Sequence, residues 1–244
     1  MALKDSDIVR ILYRTVATLD PMLDVLAVAD PLGLKPRTFS TIASNRCLDR
    51  TANSASKVLN VLDWPGTAGW DKLPMNDRAK WWVSRIGLVT TGGVAFPSVF
   101  GAWTKKFPMS DYLGFASQAL VLRAVGREYG ITSREGGVEM LASILFGRTV
   151  DANRASVFSD EPLDETKDKS FMVQLWQVGR TLVSLARSLD ERPGSPRILS
   201  MLSWIPLIGA PASYLGETIA LRRAAKMCRE WIVAHPDAIT VARV

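Results

Sequence analysis

The stretch 204-WIPLIGAPASYLGETIALRRAAKMCREW-231 changes character halfway along. Its first half is apolar and carries Pro206, Gly209, Pro211 and Gly216, whereas its second half brings in Arg222, Arg223, Lys226 and Arg229. From Thr218 onward Leu221, Ala224, Ala225, Cys228 and Ile232 fall three or four apart, the spacing of one helix face. Arg222, Lys226 and Arg229 make a cationic stripe beside it. The segment therefore predicts an amphipathic helix, entered from an apolar run rich in Gly and Pro.

The same period recurs along the chain, while period-two alternation with hairpin dipeptides is scarce, so the expected fold class is all-α. The N-terminus reads as a helix through Ile8, Ile11, Leu12, Val16 and Leu19, with Pro21 as a break. Thr38 to Leu62 reads as one further helix, with Phe39, Ile42, Ala43 and Cys47 on one side. The run 63-DWPGTAGWDKLP-74 holds two prolines and two glycines and is read as turn chemistry. A boundary placed there divides the chain into an N-terminal helical subdomain, 1–75, and a second helical domain, 76–244.

Asn76 is a natural N-cap for the next helix, followed by Asp77 where the dipole favours an acid. Ser110 opens another helix that runs through Tyr129 to Gly130, and Ser133 caps one that stays apolar to Phe146. The acidic run 159-SDEPLDETKDK-169 reads as an exposed connector. Phe171 to Leu189 is a long helix ended by 192-RPGSPR-197.

Among 244 residues, 30 are Lys or Arg and 24 are Asp or Glu, for a net charge of +6 that favours anionic partners such as phospholipid headgroups, nucleic acid or an acidic protein. Cys47 and Cys228 are the only cysteines, so neither a disulfide framework nor a thiolate metal site is expected, and both thiols read as reduced. The opening 21 residues carry Lys4, Asp5, Asp7 and Arg10 before any long apolar run, unlike a secretory signal. His235 is the single histidine and precedes Pro236, which excludes a multi-histidine metal site and makes a surface or cap position the expectation. Nucleophile-elbow, phosphate-loop and dinucleotide motifs are all missing. No cofactor or metal is expected. Glu128, Glu135, Glu139 and Glu217 could in principle act as acids or bases, but each reads more simply as a surface or ion-paired carboxylate.

Two stretches, Ile86 to Trp103 and Ile198 to Gly216, contain no charged side chain and are long enough to span a hydrocarbon core. Gly92, Gly93 and Pro97 in the first, with Pro206 and Gly209 in the second, equally fit a helical hairpin that dips into one leaflet or one buried in a protein core. Gly209 and Ser213, like Ala212 and Gly216, lie four apart and would let two helix backbones approach closely. Trp81, Trp82, Trp103 and Trp204 flank these stretches and fit headgroup depth, with core packing as the alternative. Arg222, Arg223, Lys226 and Arg229 would then face lipid phosphates from an interfacial helix.

The order of three features carries a family resemblance: the Gly-rich first stretch, the helix ending Val125-Gly126-Arg127-Glu128-Tyr129-Gly130, and Ile205-Pro206-Leu207-Ile208-Gly209-Ala210 before the Arg222-Arg223 helix. Over roughly Ser84 to Trp231 the chain resembles the EcsC family of bacterial proteins. That family takes its name from an operon that also encodes an ABC transporter, so the resemblance implies a role at the membrane; it brings no catalytic residues. The expectation is a non-enzymatic protein held peripherally on the cytoplasmic face of the cell membrane, binding anionic lipid or assisting a membrane protein complex such as a transporter. A helical scaffold whose apolar stretches are its core is the first rival, and an enzyme acting on a lipid through carboxylates is the second. Nucleic acid is the weakest partner, resting on Arg37, Arg46, Arg50 and Lys57 alone.

Overall fold

A computed structural model of the chain describes residues 4–28, 35–39, 57, 59–91, 110–152, 171–190 and 212–240. Among them every regular element is helical, as the period requires. The long helices are α1 (Asp5–Val28), α3 (Met75–Thr91), α4 (Ser110–Glu128), α5 (Arg134–Phe146), α6 (Phe171–Asp190) and α7 (Ala212–Ala234), with a short α2 (Ala68–Lys72) and 3-10 turns at Pro36–Thr38 and Pro236–Ala238.

Helix α1 begins with Asp5 and Asp7 in its first turn, where the exposed backbone N–H groups attract negative charge. It buries Ile8, Leu12, Val16, Leu19, Leu23 and Leu26. Pro21 does not break it. The proline stands on the exposed side, and Met22, Leu23 and Leu26 beyond it enter the same core, so packing outweighs a hydrogen-bond and steric cost of about 3 kcal/mol. The carbonyls at its end are satisfied by Lys35, whose Nζ donates to Leu26 O at 3.2 Å and Ala27 O at 2.6 Å.

The run read as pure turn chemistry holds one helical turn, α2, because Thr67 Oγ1 accepts from Trp70 N at 3.3 Å and starts it. Trp64 and Trp70 meet Trp81 edge-to-face, each at 5.4 Å between ring centroids, and Trp81 meets Trp82 at 5.2 Å. Helix α3 is thereby anchored to the turn before it. Ser133 caps α5 as its sequence predicts, accepting from Gly136 N at 3.2 Å.

Helix α4 is the hub. It packs against α1, α3, α5, α6 and α7, and Phe115, Ala119, Leu120, Leu122 and Val125 are buried along it. Its approach to α6 is so close that a Cβ at Gly179 would collide with the Tyr112 carbonyl, which explains a glycine in mid-helix. Helix α1 packs on α4, α5 and α6, placing its apolar side in one continuous core with theirs.

Of the helix read over 38–62, Thr38 and Phe39 end a 3-10 turn instead of opening a helix, 57 and 59–61 are helical and Leu62 stands in the turn that follows, while 40–56 and 58 lie outside the described residues. The connector 159–169 and the segments 92–103 and 198–211 of the two uncharged stretches also lie outside them, while the backbone of 86–91 closes α3 and that of 212–216 opens α7. No helix among the described residues is long and apolar enough to cross a membrane.

Candidate functional site

Helix α7 divides its side chains cleanly. Leu221, Ala224, Ala225, Cys228, Trp231 and Ile232 are buried, and the helix packs against α3, α4 and α5. This corrects the interfacial reading of its apolar stripe: protein covers that face, so it cannot lie in lipid. Cys228 is fully buried with its Sγ 3.4 Å from Met140 Sδ, and burial pushes its thiol up to about 12 against a weak opposing pull from Arg229. Such a thiol is inert at neutral pH.

The opposite arc carries Arg222, Arg223, Lys226 and Arg229, all exposed, with Glu230 and Val233 among them. Lys226 Nζ lies 3.7 Å from Glu230 Oε1, an exposed i,i+4 contact of little energetic weight that leaves the face strongly cationic. Past the end of the helix, His235 stacks on Trp231 at 4.3 Å with its Nδ1 2.9 Å from Trp231 O, a capping role consistent with its sequence position. The cations project from the outer side of one helix, a convex geometry that meets an extended anionic surface better than it could enclose a single anion.

Trp81 and Trp82 take the core-packing alternative, not headgroup depth. They are buried, and each indole N–H finds a protein acceptor: Trp81 Nε1 donates to Leu62 O at 2.8 Å and Trp82 Nε1 to Glu128 Oε1 at 3.2 Å. Gly216 lies in the opening turns of α7. Gly92, Gly93, Trp103, Trp204, Pro206 and Gly209 lie outside the described residues. The structure thus brings Arg222, Arg223, Lys226 and Arg229 together on one arc and places Trp81 and Trp82 elsewhere. Of the cations first grouped for nucleic acid, Lys57 is exposed, and the side chains of Arg37, Arg46 and Arg50 lie outside the described residues.

Three carboxylates considered for acid or base work have partners. Glu135 Oε1 accepts from Tyr13 Oη at 3.4 Å, and Glu139 Oε1 accepts from Ala152 N at 3.0 Å. Burial raises the Glu128 carboxyl above its ordinary value, opposed by the Trp82 hydrogen bond and by the charges of Arg78 and Arg127. Among the described residues no group of three or more His, Cys, Asp or Glu side chains could hold a metal ion.

A second polar arrangement escaped the sequence reading. Arg123, 1% exposed, donates from Nε and Nη2 to the two oxygens of Asp20 at 2.7 and 3.0 Å, and from Nη1 and Nη2 to Ile131 O and Thr132 O at 3.0 and 3.2 Å. One turn on, Arg127 donates to Asp24 Oδ1 at 2.6 Å. The signal was present: Asp20 and Asp24 lie four apart on α1, as do Arg123 and Arg127 on α4, a matched spacing that lets two helices clasp. Arg123 meets Asp20 in the interior and Arg127 meets Asp24 at the surface, so both pairs serve to hold α1 on α4.

Compared with known protein families, curated proteins and solved structures, the chain has no match in any of the three.

Proposed function

We propose that the protein docks peripherally on an anionic membrane surface through the outward arc of α7. It would sit on the inner face of the cell membrane, where it binds anionic lipid or assists a membrane protein complex such as a transporter, without catalysing a reaction. The observation that carries this reading is the partition of α7: its apolar side is used up in the core, so Arg222, Arg223, Lys226 and Arg229 are held outward together on a rigid helix. Each cation near an anionic leaflet contributes about 1 kcal/mol. Exposed cations gathered on one helix face give weak, reversible attachment that salt removes as the screening length falls from about 10 Å at 0.1 M to about 3 Å at 1 M. The resemblance to the EcsC family points to the same place in the cell.

Vesicle flotation tests it. The protein should rise with vesicles containing phosphatidylserine at low salt, stay down with phosphatidylcholine alone, and be released by high salt. Arg222→Glu combined with Arg223→Glu should abolish flotation. Wild-type protein that remains at the bottom with anionic vesicles at low salt overturns the reading. The helical-scaffold alternative is favoured by one specific observation, the burial of Trp81 and Trp82 in the core, and it predicts no vesicle binding by either protein.

A further inference from the structure

Val233 is 82% exposed, more so than any other large apolar side chain among the described residues. Its place on α7 sets it apart from scattered surface valines such as Val28 and Val61. Arg222, Lys226, Arg229 and Val233 follow one another at steps of four, three and four, which at about 3.6 residues per turn keeps all four within about 60° of arc. Val233 thus continues the cation row by one turn, at the C-terminal end of the helix.

A cation row ending in an outward apolar side chain matches a surface that is anionic at its boundary and apolar beneath, as a bilayer is. An acidic protein surface would match it only with an apolar pocket set one helical turn beyond its carboxylates, whereas a bilayer offers both properties everywhere along its plane. Resting on the docking proposed above, we infer that Val233 enters the headgroup layer of a phosphate-bearing bilayer while Arg222, Lys226 and Arg229 lie along its surface. Helix α7 therefore docks along its length with its C-terminal end lowest, and attachment has an apolar component that salt does not screen.

The test places a reporter at that residue. In a Cys47→Ser background, Val233→Cys is labelled with nitrobenzoxadiazole. Cys228 stays unlabelled because it is fully buried and its thiol sits at about 12. Adding vesicles containing phosphatidylserine should raise and blue-shift the emission, and a headgroup-level quencher should reduce it. The same label at Val28→Cys, 77% exposed on α1, serves as the control and should not respond. Without any label, Val233→Ser should weaken vesicle affinity about fivefold and leave the salt slope unchanged, since no charge is altered. Co-sedimentation run in parallel separates the outcomes. Vesicle binding with a silent label at 233 and an unaltered Val233→Ser affinity overturns the role of Val233 while the docking reading stands. Failure of the wild-type protein to bind vesicles overturns both.

Discussion

The guanidinium of Arg123 grips both carboxylate oxygens of Asp20, with Nε 2.7 Å from Oδ1 and Nη2 3.0 Å from Oδ2, joining α4 to α1 across 103 residues of sequence. The two carbonyls that Arg123 also reaches, at Ile131 and Thr132, start the connection into α5. One buried side chain therefore ties together three helices. Arg123→Ala would leave two carbonyls without their donor and Asp20 with the longer contact to Arg127 Nη1 at 3.8 Å, and should cost about 2–4 kcal/mol of stability in denaturant unfolding. Arg123→Lys should recover only part of it, because an ammonium cannot replace the planar fork. Loss of less than about 1 kcal/mol in Arg123→Ala would show that the clasp is not made in solution.

Gly137 gives that guanidinium its room: a Cβ there would lie 2.6 Å from Arg123 Nη1 and 3.0 Å from Cζ. Gly137→Ala should push Arg123 off Asp20 and destabilise by about 1–3 kcal/mol, although alanine is the better helix former. Gly114 in α4 is the counterpart, since a Cβ there meets nothing within 4 Å. Gly114→Ala should therefore stabilise by about 1 kcal/mol. Opposite signs at two helical glycines are the expected result of thermal melts on the two variants.

Much of this arrangement could be read from spacing. The core side of α1, the Ser133 cap of α5 and the buried stripe of α7 all follow from local period and capping chemistry. Two local readings failed, since Thr67 caps a helical turn within 63–74 and α3 begins at Met75, before the Asn76 read as its cap; the other failures needed knowledge of the neighbour. Pro21 looked like a stop because its cost is local, whereas Met22 and Leu26 are held by distant helices. The apolar stripe of α7 has the same period whether protein or lipid covers it, so Leu221 and Cys228 could not reveal which. Trp81 and Trp82 were ambiguous for a similar reason, since an indole suits a headgroup layer and a core equally well once its N–H has an acceptor. The Asp20–Arg123 contact was legible only as two matched spacings with nothing to say that they meet.

Glu128 sets a pH dependence. Burial raises its folded carboxyl above the ordinary 4.5, so the folded chain holds that proton more tightly than the unfolded chain. Its contribution to stability is fully present below 4.5 and is lost as pH rises through the raised folded value. Gln cannot ionise and keeps an oxygen to accept from Trp82. Glu128→Gln should thus be more stable than wild type at pH 7, with the difference closing in acid. Unfolding midpoints at pH 4 and pH 7 decide it, and a Gln variant less stable at pH 7 would mean that the Arg78 and Arg127 charges dominate.

The two sides of α7 should respond to charge in opposite ways. Arg222 and Lys226 are exposed, so Arg222→Glu with Lys226→Glu should alter folding stability by no more than about 0.5 kcal/mol while removing attachment to anionic vesicles. Ala225, 7% exposed and one position before Lys226, points into the core, where Ala225→Glu buries an unpaired carboxylate. That variant should unfold or lose several kcal/mol in vesicle-free buffer. A helix whose apolar side faced lipid would behave in the reverse sense, with Ala225→Glu well folded in buffer and defective only on vesicles. Circular dichroism melts without lipid, beside flotation of the same two variants, therefore determine whether the covering of the α7 stripe is protein, as the burial of Leu221, Cys228 and Trp231 requires.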